Sequence, residues 1–291
     1  MRASSLNMGD VDYLRGRPFF ARLGTGLRRP KNAILGLDVA GQVESSGRAV
    51  SRFAPGDEVF TDMTDHGFGA FAEYVAVPED RLAHKPGSLT FEEAATIPQS
   101  AILALQGFGG GRPIQPGQKV LVNGASGNVG PFAVQIAKAA GAEVTGVCRT
   151  AKMDMVRAIG ADHVIDYTAE DFTRSGERYD RILDVAGHHS IFASRRALSQ
   201  GGAYVWIGGS TATLLEALLL GPLVSAAGSR KMGITWWWKP FRLEDVAILV
   251  ELIEAGKLRP VIDRSYPLSD VPEAIRYLES GRSRGKVVIT I

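Results

Sequence analysis

A single cysteine, Cys148, stands in 291 residues, and that scarcity excludes an internal disulfide framework and any zinc knot built from several thiolates. A reducing, cytoplasmic setting is the expectation that goes with it. Excess charge of either sign is also missing: 33 Lys and Arg against 31 Asp and Glu leave a formal net charge of +2, which gives no electrostatic reason to expect nucleic acid. The opening residues, Met1 to Asp12, lack the apolar core of a signal peptide. Long apolar runs are scarce as well. The best candidate, within Thr213 to Gly228, is too short to span a bilayer and is interrupted by Glu216, Gly221 and Pro222. It is expected as a helix buried under another element or at a subunit contact, and Trp236, Trp237 and Trp238 beyond it as packing aromatics rather than an interfacial anchor. What remains is an ordinary globular composition, 45% hydrophobic, with length enough for about two domains.

The most informative stretch that is present runs VLVNGASGNVGPFAVQIAKAAGAEVTGVCRT, Val120 to Thr150. Val120, Leu121 and Val122 read as a buried strand. The chain then turns through Gly124, Gly127 and Gly130 into a helix with apolar residues at Val134, Ile136, Ala137 and Ala140, and Glu143 to Cys148 reads as a second strand. Strand, glycine turn, helix and strand in that order predict a dinucleotide site, with the pyrophosphate on the helix N-terminus, Gly124, Ala125, Ser126, Gly127, Asn128, Val129 and Gly130 as cofactor-binding residues, and the glycines letting backbone N–H groups approach. An NAD site ordinarily places an acid near the tip of the second strand, to accept from the ribose 2′-OH. Here the tip holds Cys148, Arg149 and Thr150, then Lys152. Two cations and no acid predict a 2′-phosphate, hence NADPH.

The first third has another character. Between Ile34 and Val77 short alternating segments are punctuated by Gly36, Gly41, Gly47, Pro55, Gly56, Gly67 and Gly69, which predicts a small antiparallel barrel. Phe91 to Gly107 turns helical. Strands are then expected at Val164 to Asp166, Arg181 to Val185 and Ala203 to Ile207, alternating with helices, so the middle is a parallel α/β sheet. Helices are expected at Leu243 to Ala255 and Val271 to Ser280, and KVVITI, Lys286 to Ile291, as a buried closing strand.

Seven stretches in order, SLNMGDVDYLRG, ILGLDVAGQVESSG, FAPGDEVF, GAFAEYVAVPED, NGASGNVG, IGADHVIDY and RGKVVITI, make the chain resemble the medium-chain dehydrogenase/reductase superfamily, specifically its zinc-free quinone oxidoreductase branch, over nearly the whole length. The resemblance implies an α/β protein in which a Rossmann doubly wound sheet, residues 97–255, is flanked by the two parts of a GroES-like catalytic domain, 1–96 and 256–291. It implies NADPH as cofactor, a homodimer, and further cofactor contacts at Tyr167, at Ala186 and Gly187, at Gly208 and Gly209, and at Lys286 near the phosphates. It also implies that strands precede SSLN in relatives, so that a chain starting at Met1 has an N-terminally truncated barrel with unpaired edges and exposed apolar surface.

Departures from the zinc-dependent members of that superfamily bear on the chemistry. At the place of their ligand cysteine and relay hydroxyl stand Asn7 and Gly9, and at the place of their ligand histidine stands Leu37, followed by Asp38. A catalytic zinc needs about three protein ligands, so no metal is expected. Asn7 and Tyr13, in the segment that borders the nicotinamide in the family, are the candidate catalytic residues, orienting an acceptor oxygen or donating a hydrogen bond to it. Asp10 matches an acid in relatives and is equally suited to a cap or a salt bridge. The expected function is zinc-independent reduction of a quinone, enone or related carbonyl compound by NADPH. An NADP-linked alcohol or aldehyde dehydrogenase, and a nucleotide-binding protein without turnover, are the alternatives.

Overall fold

The computed structural model describes residues 1–109, 113–234 and 241–291, so the run Trp236–Trp238 lies outside the described residues. The chain divides into two units: Met1–Ile102, Lys239–Glu254 and Pro260–Ile291 form the first, Leu103–Trp238 and Ala255–Arg259 the second. The breaks therefore differ from the expected 96/97 and 255/256. Residues 97–102 go with the first unit because the backbone N–H of Gln99 donates to the Asp38 carboxylate (2.9 Å) and the Ser100 hydroxyl to Asn7 (3.2 Å). Phe241 likewise sets its ring edge-on to Phe60 at 5.6 Å. Residues 255–259 stay with the second unit, where Arg259 and the Gln135 carboxamide exchange two hydrogen bonds of 2.9 Å.

Twelve strands and ten helices among the described residues, numbered along the chain, make up the two units. In the first, β1 (Ala3–Leu6), β2 (Asp38–Gln42), β3 (Glu58–Asp62), β4 (Ala83–His84), β11 (Ile262–Pro267) and β12 (Lys286–Thr290) form one sheet in the order β11-β12-β1-β2-β3-β4. The sheet is mixed rather than wholly antiparallel, because β11 and β12 run parallel. Helix α1 (Met8–Arg15) and α10 (Val271–Glu279) cover it. Ala274, Ile275 and Leu278 recur at helical spacing and close with Leu6, Val11, Val287 and Ile289 into one core. Shorter α2 (Arg22–Thr25) and α3 (Phe91–Ala94), the start of α4 (Ser100–Gly109), and α9 (Leu243–Glu254) complete the unit. The α3 helix begins in a reciprocal cap: Thr90 accepts from the Glu93 N–H at 3.2 Å and the Glu93 carboxylate accepts from the Thr90 N–H at 2.9 Å. Beside β2 an apolar trough of about 470 Å³ opens between Met1, Val39, Val43, Phe53, Tyr74 and Val77.

The second unit is a sheet of β5 (Lys119–Asn123), β6 (Glu143–Cys148), β7 (His163–Asp166), β8 (Tyr179–Asp184), β9 (Leu198–Trp206) and β10 (Lys231–Ile234). Every pairing is parallel and the order is β10-β9-β8-β5-β6-β7, the doubly wound Rossmann arrangement with its switch point between β5 and β8. Helices α5 (Gly130–Ala139), α6 (Met153–Ala158), α7 (Ile191–Arg196) and α8 (Thr211–Ala226) connect or flank the strands. Leu121, Val147, Ile182, Leu198, Tyr204 and Met232 pack the interior. The helix expected to be buried, α8, is buried on one face only. Thr213, Ala217 and Gly221 face inward, while Leu215, Leu219 and Leu223, four residues apart, remain exposed. No described helix is long and apolar enough to cross a membrane.

Because β12 lies inside its sheet with Ile289 fully buried, Ile289→Ala should cost about 2 to 5 kcal/mol, read as a lowered urea midpoint. Ile248→Ala, at a half-exposed site, should change it by less than about 0.5 kcal/mol.

Candidate functional site

In the second unit the expected cofactor residues gather at the carboxyl ends of the parallel strands, the edge where open α/β sheets bind ligands. After β5 the chain turns at Gly124, whose N–H donates to Val147 O (3.1 Å), as does that of Ala125 (3.0 Å). The turn then enters α5 so tightly that a Cβ on Gly130 would lie 2.2 Å from Gly124 O, a contact only glycine permits. Val129 at the N-cap makes no side-chain cap. Pro131 in the first turn offers no N–H, and the Gly130 and Phe132 N–H groups there receive no side-chain cap.

Beyond β6, the Arg149 guanidinium donates to the Tyr167 hydroxyl at 3.0 Å and lies 5.8 Å from its ring centroid. The Tyr167 N–H in turn donates to Cys148 O. The structure therefore joins two residues that the sequence reading named separately. Lys152 follows in a short 3₁₀ turn. An acid also stands nearby that the sequence reading missed. Asp166, at the end of β7, is in register with Cys148 and accepts from Thr150 and from the N–H and hydroxyl of Thr168. Those bonds hold its carboxyl below the usual range and occupy its oxygens. At the ends of β8 and β9, Ala186–Gly187 and Gly208–Gly209 are tied together: Gly187 N–H donates to Gly208 O (2.8 Å) and Gly187 pairs with Gly209. A Cβ on Gly209 would meet Gly187 O at 2.3 Å. Beneath them, buried Asp184 accepts from Tyr204 (2.8 Å) and Asn123 (2.7 Å), and burial raises its pKa. Cys148 is buried, and the same cause pushes its thiol up to about 11, so it is no thiolate nucleophile.

The first unit holds a buried polar network. Lys286, 1% exposed, donates from Nζ to Asn7 Oδ1 (2.6 Å) and Ser100 Oγ (3.0 Å) and lies 3.5 Å from Asp38 Oδ2. Asp38, fully buried, also accepts from the Ser5 hydroxyl (2.5 Å), Asn7 Nδ2 (2.8 Å) and Gln99 N–H (2.9 Å). Asp10 accepts from the Asn7 and Gly36 N–H groups, which decides between the cap and the salt bridge in favour of the cap. Burial pulls the Lys286 pKa down, while the charges of Asp38 and Asp10 pull it back up. Burial, with the Asp38 charge adding, pushes Asp10 and Asp62 up to about 7. Asp62 accepts twice from Thr64 on one oxygen, and its other oxygen finds no partner among the described residues.

Two of the expected site residues lie in this network. The Lys286 ammonium is enclosed and bonded to Asn7 and Ser100 beside Asp38. Asn7 has no hydrogen to offer an acceptor, since its amide donates to Asp38 and to Ser5 O (3.4 Å) while its oxygen receives Lys286 and Ser100. Tyr13 lies apart from both. Its ring is 4.2 Å from that of Phe68 and its oxygen accepts from Asn32 N–H (2.9 Å), which leaves the phenolic hydrogen to donate. Ser5, Ser100 and Asp62 went unnoticed in the sequence; the one signal was polar residues inside apolar segments.

Comparison with known proteins gives these two units a family. Residues 1–87 match the family described as "Alcohol dehydrogenase GroES-like domain" and residues 159–289 that described as "Zinc-binding dehydrogenase". The mitochondrial NAD(P)H oxidoreductase of Mus musculus is 37% identical over 285 residues, spanning 88% of this chain and 70% of its own. This chain is a medium-chain dehydrogenase/reductase. Within that superfamily it is also similar to the chloroplast envelope quinone oxidoreductase homolog of Arabidopsis thaliana, 30% identical over 300 residues, 99% of this chain and 88% of the other. The solved quinone oxidoreductase of Coxiella burnetii matches with a TM-score of 0.86 and 29% identity, covering 100% of this chain and 88% of its own. The medium-chain dehydrogenase/reductase described above is accordingly an oxidoreductase.

The raised carboxyls make stability depend on pH. A carboxyl that titrates near 7 when folded and near 3.8 when unfolded binds its proton more tightly in the folded state. Its contribution is fully present below the unfolded value and is lost as pH rises through about 7. Urea unfolding between about pH 5 and pH 8 should therefore show stability falling with pH by up to about 5 kcal/mol. Asp62→Asn, which keeps the shape and removes one titration, should flatten that slope.

Proposed function

We propose that this oxidoreductase reduces a quinone, enone or related electrophilic carbonyl compound with NADPH, without a metal ion. The observation that carries the reading is the tip of β6, where Arg149, braced by Tyr167, and Lys152 stand where an NAD site has an acid. The uncapped N-terminus of α5 and the close approach at Gly130 fit a pyrophosphate. Arg149 and Lys152 hold the 2′-phosphate, Tyr167 orients Arg149 and flanks the adenosine, and Ala186, Gly187, Gly208 and Gly209 give the dinucleotide a floor without side chains. Bound there, NADPH supplies the hydride. Tyr13 donates its phenolic hydrogen to the acceptor oxygen as negative charge develops on it, and Asn7, bonded to Asp38 and Lys286, fixes the start of the helix that carries Tyr13. The names of the similar NAD(P)H and quinone oxidoreductases, and of the NADPH-dependent alkenal/one oxidoreductase of Arabidopsis thaliana, 31% identical over 270 residues, support the same class.

Zinc does not fit the first unit. Leu37 offers no ligand atom, the place of a cation beside Asp38 and Asn7 is filled by the Lys286 ammonium, and no group of three or more His, Cys, Asp or Glu among the described residues is placed to hold a metal. Acceptors that are already electrophilic need no Lewis acid to receive a hydride. The exposed Leu215, Leu219 and Leu223 on α8, packed beside the edge strand β10, support a homodimer. The single buried thiol supports a reducing compartment such as the cytoplasm.

Two measurements test this. The protein should bind NADPH more tightly than NADH, and Arg149→Ala should weaken NADPH alone by roughly ten- to a hundredfold; equal affinities in the parent would defeat the cofactor assignment. NADPH consumption with a panel of quinones and enones should persist unchanged after chelation, and Tyr13→Phe should lower kcat by about tenfold or more with NADPH affinity unaltered. Loss of turnover on chelation with recovery on zinc would defeat the metal-free reading.

A further inference from the structure

From Tyr13 to Leu37 the chain carries six cations, Arg15, Arg17, Arg22, Arg28, Arg29 and Lys31, and no acid. The same segment exposes large apolar side chains of a kind that folded surfaces ordinarily cover. Phe19 is 77% exposed, Leu23 79% and Leu27 69%, with Phe20 and Ile34 also in the open. Phe19 and Leu23 are one helical turn apart across the 3₁₀ turn Phe19–Ala21 and α2, so they share a face. Leu27 follows just past Gly26.

The acids facing the segment are few. Glu279 on α10 accepts from Arg15 (2.8 Å) and Arg17 (3.3 Å), and Asp12 lies within reach of the Arg17 charge. The Arg22 guanidinium donates to Arg15 O and Gly16 O, which braces the turn without neutralising it. Arg28, Arg29 and Lys31 are exposed. An excess of positive charge therefore borders an apolar tip on a protein whose net charge is only +2.

We propose that Phe19–Ile34 is a docking surface for an anionic phospholipid bilayer, the apolar tip entering the interface while Arg28, Arg29 and Lys31 meet the headgroups. Charge complementarity selects this occupant. A protein partner bound by apolar burial alone has no need of a segment with four cations, Arg22, Arg28, Arg29 and Lys31, and no acid, whereas an interfacial anchor combines cations with Phe and Leu in this way. The attachment is peripheral, consistent with the absence of a spanning helix among the described residues, and it stands independently of the reaction proposed above.

Co-sedimentation of the full chain with vesicles of phosphatidylcholine alone, and of phosphatidylcholine mixed with phosphatidylglycerol, tests it. The protein should partition onto the mixed vesicles and not onto the neutral ones, and added salt should weaken the binding. Each cation near an anionic surface contributes about fivefold, so Arg28→Ser, Arg29→Ser and Lys31→Ser together should weaken partitioning about a hundredfold. Phe19→Ser, Leu23→Ser and Leu27→Ser together should abolish it, and both variants should keep the parent's melting temperature and NADPH affinity. Equal binding to neutral vesicles, no binding to either, or variants that bind like the parent would overturn the proposal. So would full competition by soluble inorganic phosphate, which would indicate a free-phosphate site, or a change of sedimentation mass in the apolar variant, which would indicate a contact between copies of the chain.

Discussion

The Lys286 ammonium is held out of water between the Asn7 carboxamide, the Ser100 hydroxyl and the Asp38 carboxylate, and the first unit is arranged around it. Burying such a charge is unfavourable unless its hydrogens find acceptors and an opposite charge is near. The fold meets both conditions by bringing three distant stretches of chain to the lysine. The pleat of β1 supplies Ser5, the start of α1 supplies Asn7, the first residue of β2 supplies Asp38, and the first turn of α4 supplies Ser100. Asp38 is satisfied by three hydrogen bonds besides the ammonium. Asp10 and Asp62 are pushed up to about 7 by burial, with the Asp38 charge adding to it. A carboxyl that holds its proton near neutrality lowers the charge the interior must accommodate.

The second unit solves a different problem, which is to leave backbone groups available at one edge. Its inner strands β5, β6, β8 and β9 are paired on both sides and mutually parallel, so their hydrogen bonds are consumed within the sheet, and the loops at their carboxyl ends carry the backbone groups that remain. There the close contacts at Gly130 and Gly209 remove side chains from the surface, while Arg149 on Tyr167 adds a cation at the rim. Rigidity comes from below: Asp184 ties Asn123 at the end of β5 to Tyr204 in β9, so the loops on either side of the switch point share one support.

Most of this second unit was legible because its signals are local. The β6 strand was read at Glu143–Cys148, where it lies, and β7 ends at Asp166 as expected; in the first unit α9 and α10 likewise end within one residue of expectation, since hydrophobic period and turn residues determine such ends over a few positions. The exposed face of α8 was not legible. Thr211–Ala226 is apolar nearly all round, so no periodicity marks which leucines look outward. Asp166 escaped notice because it reaches the β6 tip from a neighbouring strand, through the pairing of Cys148 with Asp166. Lys286 was read as the start of a buried strand and, through the resemblance, as a contact near the phosphates. Its true surroundings depend on residues 7, 38 and 100 arriving together, and no spacing along the chain announces that.

The place of β12 governs the order in which the molecule assembles. It follows every other element of both units in sequence, yet it lies between β11 and β1 in the first sheet and begins with the lysine that balances Asp38. A growing chain can close the second unit early, since nearly all of it is the one stretch from Leu103 to Trp238. The first unit must wait. Until β12 arrives, β1 has an unpaired edge, Leu6 and Val11 lack the partners Val287 and Ile289, and Asp38 faces the interior without a cation. Long-range pairing of this kind is slow and leaves apolar surface open while it lasts. The half of the molecule made first is therefore the half completed last.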